Sequence, residues 1–163
     1  MNDTKSSDPL LNKVYHKLRW TRENTIGLFE SAEVNNILSF YSKSDYQKKH
    51  TFQSVLFQFQ CIITTTNTFN RKLKGDYNAV FGVLVENDRE IPKKNIPPSR
   101  IYDLLVMQLD ELQIVIKDMT GEEGIDSILG ILNHEYLHQG ELILMFREAG
   151  VELPERFQKA FAL

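Results

Sequence analysis

Residues 134–138 read His-Glu-Tyr-Leu-His. Two histidines four apart on a helix project from one face, one turn above the other. That spacing lets two imidazoles meet one divalent ion at about 2.0–2.1 Å. Glu135 directly follows the first histidine, so the segment is a literal H-E-x-x-H, the signature of zinc proteases. A protease of that kind needs a third ligand downstream. Residues 139–163 contain neither histidine nor cysteine, and the pattern offers no sheet to hold a peptide. Three readings of the pair stay open: metal ligation or catalysis, a satisfied pair in the core, and solvent-exposed histidines.

A metal site needs at least one more protein ligand. Gln58 and Gln108 each stand on an apolar stripe of another helix, but a neutral amide is a poor substitute for imidazole. His50 precedes a helix, and His16 borders the stripe of the first one. Cys61 flanks the stripe that carries Gln58, and we expect it to be a buried, inert thiol. Glu141, one turn beyond His138, is placed to orient a ligand or a water. The pairs Lys48-Lys49 and Lys93-Lys94 read as solvated loops, and Trp20 with Arg19 and Arg22 reads as an exposed helix face.

The elements that carry these residues follow from apolar periodicity. Residues 1–8 are polar and expected to be a flexible tail. A first helix is predicted over 9–30, opened by Pro9, whose missing N–H is no loss in a first turn. A second runs from a Thr51 cap through Phe52, Val55, Phe59 and Ile62 to Lys74-Gly75. Residues 75–98 form a long connection in which 80–87 could be a strand without a partner, and Pro92, Pro97 and Pro98 break regular structure. Ser99 is the expected cap of a third helix that reaches Met119. After a turn over 120–124, a fourth helix spans 125–149 and stops at Gly150. It has almost no polar face. A short helix follows Pro154. The result is one all-α domain over 9–163, a four-helix bundle with a long crossover between helices 2 and 3.

Composition narrows the function classes. The 163 residues include 19 Lys+Arg, 22 Asp+Glu and one cysteine, with a formal net charge of −3. That balance argues against a general grip on nucleic acid or on an anionic membrane. The single cysteine excludes an intrachain disulfide and fits a reducing compartment. The polar N-terminus does not read as a signal peptide, and no apolar run is long enough to cross a membrane. The expected location is the cytoplasm.

Residues 134–142, HEYLHQGEL, continue through an apolar stretch to Arg147-Glu148-Ala149-Gly150. This segment resembles the last bundle helix of the DinB/YfiT-like superfamily, H-x-x-x-H-x-G-x-[LI] ending in glycine. The order and lengths of the elements are similar too. The resemblance implies a DinB-like bundle with a pocket at one end that holds nickel, zinc or another divalent ion. It also implies thiol S-transferase chemistry with a low-molecular-weight thiol and a small-molecule substrate. His134 and His138 would be metal ligands, with Gln58 and Glu141 lining the pocket. The superfamily's third histidine falls about seven residues after the cap of helix 2, and counting from Thr51 puts Gln58 there. The competing expectation is therefore a non-catalytic binding or scaffold protein with a degenerate site. A homodimer through the fourth helix, where Gly140 permits close approach, or through the first and fourth helices, is expected as well.

Overall fold

Asp8 opens the first helix, α1 (Pro9–Val34), by accepting hydrogen bonds from the backbone N–H groups of Leu10 and Leu11. These are two of the donors a helix start leaves unpaired. The computed structural model describes residues 8–42, 54–117, 119 and 122–161. His50, Thr51, Phe52, Lys48 and Lys49 fall outside those residues, as do the polar residues 1–7. The second helix, α2 (Val55–Leu73), is capped by Ser54, whose hydroxyl takes the N–H of Phe57. Lys74 and Gly75 close it, with Gly75 at φ +93°.

The threonine-rich centre of α2 favours strand by propensity, yet it is helical. Thr64, Thr66 and Thr68 each donate to the carbonyl four residues back. Their hydroxyls are thus satisfied inside the helix while the methyls pack in a buried setting. Tertiary packing outweighs a preference of a few tenths of a kcal/mol per residue.

The connection after α2 departs from expectation. Residues 80–87 do find a partner: β1 (Val83–Glu86) pairs antiparallel with β2 (Arg89–Pro92), Leu84 facing Ile91. Asn87 and Asp88 turn the hairpin with φ of 48° and 60°, the left-handed pair a two-residue hairpin needs and Asn and Asp tolerate best. Pro92 does not break the hairpin but ends it. Two 3₁₀ turns, Lys93–Asn95 and Pro98–Arg100, lead into α3 (Ile101–Lys117). Ser99 lies inside the second turn rather than capping the helix. The next helix, α4 (Glu122–Glu148), begins within the predicted turn, and Gly150 stops it at φ +72°. A short α5 (Glu155–Phe161) ends the chain.

Among the described residues the protein is therefore mostly helical, with one small hairpin. Each of α1 and α2 packs against both α3 and α4. Two apolar clusters fill the space between them. One joins Leu28, Phe29, Phe59, Ile63, Leu105, Met145 and Phe146, with Leu84 of the hairpin and Phe157 of α5. The other joins Leu11, Tyr15, Leu18, Leu112, Ile116, Ile128 and Ile131.

Polar residues are buried along the helices between the two clusters. Arg22 and Glu135 are both fully buried and ion-paired at 2.9 Å. Thr66 accepts from the Arg22 guanidinium at 2.7 Å, and the carbonyl of Leu105 accepts at 3.3 Å. Thr25 donates to Glu135 at 2.5 Å and accepts from Gln139 at 2.9 Å. The sequence reading of Arg22 as part of an exposed face is thus corrected: it spans the interior. Arg19 stays outside with Glu23, and Lys17 stacks over Trp20 at 3.9 Å. No helix among the described residues is long and apolar enough to cross a membrane.

Candidate metal centre

α4 brings His134 and His138 together as the spacing requires, with their rings edge to face and centroids 4.4 Å apart. Their Nε2 atoms are 3.0 Å apart. The third member comes from α2, and it is not Gln58. Cys61 Sγ lies 3.6 Å from His134 Nε2, and the ligating atoms of Cys61, His134 and His138 all fall within 4.8 Å of one another. Thr65, one turn further along α2, places its hydroxyl 3.0 Å from the same His134 nitrogen.

Gln58 and Glu141 occupy the other edge of His138. Gln58 Oε1 is 2.6 Å and Glu141 Oε2 2.8 Å from Nδ1. Both are acceptors, so Nδ1 carries the proton, and Nε2 is the nitrogen turned toward Cys61 and His134. A histidine held this way by a carboxylate or carbonyl on its outer nitrogen is the usual supporting arrangement of metal-bound imidazole. Gln58 is fully buried, and its Nε2 has no hydrogen-bond partner. It stands behind the site rather than in the gap of a missing histidine.

The donor set can be tested against an ion. Bonds of about 2.3 Å to sulfur and about 2.05 Å to nitrogen at tetrahedral angles put S and N about 3.6 Å apart, and two N about 3.3 Å apart. The Cys61–His134 edge of 3.6 Å matches, the imidazole pair at 3.0 Å must open by about 0.3 Å, and Cys61 and His138, within 4.8 Å of each other, must settle at about 3.6 Å. Two imidazoles and a thiolate form a borderline-soft set suited to zinc or nickel. These residues fit a divalent ion with a fourth position left over.

Without an ion, the same groups share protons. Burial pushes the Cys61 thiol up, but hydrogen bonds from His134 and His138 and the charges of His138 and Lys93 outweigh it and bring it down to about 6. Burial pulls His138 down, while its hydrogen bonds to Cys61 and Glu141 and their charges carry it up to about 9. Cys61 and His138 therefore form a thiolate–imidazolium pair near neutral pH.

The site opens onto a cavity of about 470 Å³ lined by Cys61, His134, Thr65, Lys93 and the aromatic pair Phe69 and Phe81, with Gly82 and Gly130 between them. A Cβ at Gly130 would lie 2.6 Å from the Phe69 ring, so any side chain there would make the ring shift. Lys93, expected in a solvated loop, instead points its Nζ to within 3.9 Å of Cys61 Sγ. The hairpin explains this. It ends at Pro92 and delivers Lys93 over the first half of α2, above the Phe57 ring at 4.3 Å.

The remaining candidates are elsewhere. His16 is exposed on α1 beside Tyr15. Gln108 is buried and donates to the Ile63 carbonyl. It borders a cavity of about 520 Å³ whose Glu86 and Arg100 are already paired at 2.7 Å. Glu135 lies between the histidines in sequence but about 100° around the helix from His134, and it is committed to Arg22. It cannot serve as a protease's general base. Cys61 is the correction of most consequence. The signal was in the sequence: Gln58, Cys61 and Thr65 follow at steps of three and four, one face of one helix.

No protein-family model matches the chain, and no curated protein or solved structure is significantly similar to it.

Proposed function

We propose that the chain is a DinB/YfiT-like four-helix bundle in which Cys61, His134 and His138 hold a divalent ion, zinc or nickel, for transferase chemistry of the thiol S-transferase type. The observation that carries the proposal is the convergence of two Nε2 atoms and one Sγ within 4.8 Å at the edge of a cavity. An ion bound there supplies Lewis acidity toward whatever occupies its fourth position. The chain's own residues do the rest. Gln58 and Glu141 fix the His138 ring and its proton on Nδ1. Thr65 offers a hydroxyl beside His134. Phe69 and Phe81 give that side of the cavity an apolar wall. Lys93 places a positive charge where negative charge gathers.

The test is metal content and cobalt spectroscopy. Purified protein supplied with zinc or nickel retains one ion per chain, and cobalt substitution gives a cobalt–thiolate charge-transfer band that Cys61→Ser abolishes. A chain that retains no ion, or a band that survives Cys61→Ser, overturns the reading in favour of a non-catalytic binding or scaffold protein.

The reading includes a cytoplasmic homodimer through α4. Leu129, Leu137 and Leu144 are exposed along one stripe of that helix, with Gly140, exposed in the same stripe, between the last two. Sedimentation at micromolar concentration at the monomer mass would sink the dimer without touching the site.

A further inference from the structure

We infer that the cavity beside Cys61 and His134 binds a small molecule that combines a flat apolar body with a carboxylate or another anionic group. The inference deepens the proposed metal-site reading and rests on it for the chemistry, though not for the binding. Four observations support it.

Lys93 lines the cavity, and among the described residues no carboxylate lies within ion-pair distance of it. Arg100, which lines another cavity, is by contrast taken up by Glu86. Lys93 is held over Phe57 with its Nζ 3.9 Å from Cys61 Sγ, and an ammonium with three N–H groups keeps donors for a ligand's anion beside the thiol.

Part of the cavity lining is aromatic. Phe69 and Phe81 meet edge to face at 5.8 Å, and Phe81 is 57% exposed. An exposed phenylalanine on a cavity wall gains from covering by an apolar or planar group.

Two glycines also line the cavity. Gly82 has φ +85°, where a side chain would be strained, and a Cβ on Gly130 would lie 2.6 Å from the Phe69 ring, so a side chain at either position would disturb the lining.

The ligating atoms of the site share the same cavity, since both Cys61 and His134 line it. A molecule with its anion on Lys93 and its body on the phenylalanines therefore lies alongside the reactive groups.

The probes are hydrocinnamate and its neutral amide, titrated by calorimetry and ligand-observed NMR into the full chain, metal-free and zinc-loaded. Hydrocinnamate is expected to bind about tenfold or more tightly than the amide in both forms. Lys93→Gln should reduce that preference to near one, and Lys93→Arg should keep it. Gly130→Ala, which drives the Phe69 ring out of place, should weaken both probes and leave their ratio unchanged. Equal binding of the two probes, binding of neither, or a preference that survives Lys93→Gln because the carboxylate sits on the zinc, each overturns the inference. The cobalt–thiolate band is read on the same samples. A band without the carboxylate preference removes this inference alone, and the preference without a band removes only the metal reading.

Discussion

The molecule buries two clusters of polar side chains on α4, and they are built oppositely. Around Arg22 and Glu135 the described hydrogen bonds run inward: the guanidinium donates to the carboxylate, to Thr66 and to the Leu105 carbonyl, while Thr25 donates to the carboxylate and accepts from the Gln139 amide. Nothing there faces a cavity. Around Cys61, His134 and His138 the outer edge is tied down by Gln58 and Glu141, while the inner donor atoms point at one another and toward open space. One cluster has spent most of its hydrogen-bonding capacity on the fold, with the Gln139 amide oxygen left over. The other has spent only half, and what remains is a set of lone pairs converging on a point. A buried polar group without partners costs about 1–3 kcal/mol, so convergence of this kind is a sign of a site rather than of a scaffold.

The comparison can be broken first at the closed cluster. Glu135→Ala leaves the Arg22 guanidinium buried without its carboxylate, and about 3–5 kcal/mol of stability should be lost in urea unfolding. Cys61→Ser, at the open cluster, should cost under about 1.5 kcal/mol. Similar losses for the two variants would erase the distinction.

Metal affinity should show the reverse order. Cys61→Ser should lower zinc affinity by more than the roughly 100-fold that a supporting residue carries, and Glu141→Gln by about 10–100-fold. Gln58→His should weaken binding too, because position 58 meets the Nδ1 edge of His138 and not the Nε2 edge. A Gln58→His variant that binds metal more tightly than the wild type would restore the reading of a decayed three-histidine site. Glu135→Ala, wherever it still folds, should leave the cobalt–thiolate band intact.

The smallest effect is the pH response of the metal-free chain. Thiolate absorbance should titrate near 6 rather than at the ordinary 9.0. The stabilisation linked to Cys61 is complete above pH 9 and is lost as pH falls through about 6. That linked to His138 is complete below pH 6.5 and is lost as pH rises through about 9. The attraction between the two charges therefore exists only between about pH 6 and 9. His138→Gln should return the thiol titration toward 9.0. A thiol that titrates near 9.0 in the wild type would show that the cluster holds neutral groups and is closer in kind to the Arg22 network than argued here.

Much of the helical framework could be read from the chain. Apolar residues at three- and four-residue steps mark α1 to α4 because a helix buries one stripe, and that requirement is local in sequence. Gly75 and Gly150 mark the ends because each takes a positive φ. The hairpin was half legible. Its first strand was visible, but its partner contains Arg89, Glu90 and Pro92, which signal loop by composition and become strand only because β1 is there to pair with. The continuous apolarity of α4 was misleading as well. Leu129, Leu137 and Leu144 are apolar and exposed, so hydrophobicity overstated how deeply that helix is buried.

At the site, the sequence by itself determined that His134 and His138 share a face and that Glu141 sits one turn from His138. These are consequences of helical geometry alone. Only the tertiary structure decided the rest. It set α2 against α4 so that Cys61, rather than Gln58, meets the Nε2 edge of the histidines. It turned Glu135 away to Arg22 on α1, and it used the hairpin to carry Lys93 to the thiol. The physical reason is that spacing along one helix fixes which side chains project together. Which nitrogen of an imidazole faces a partner depends on the rotation and depth at which a second helix packs, and no local pattern encodes that.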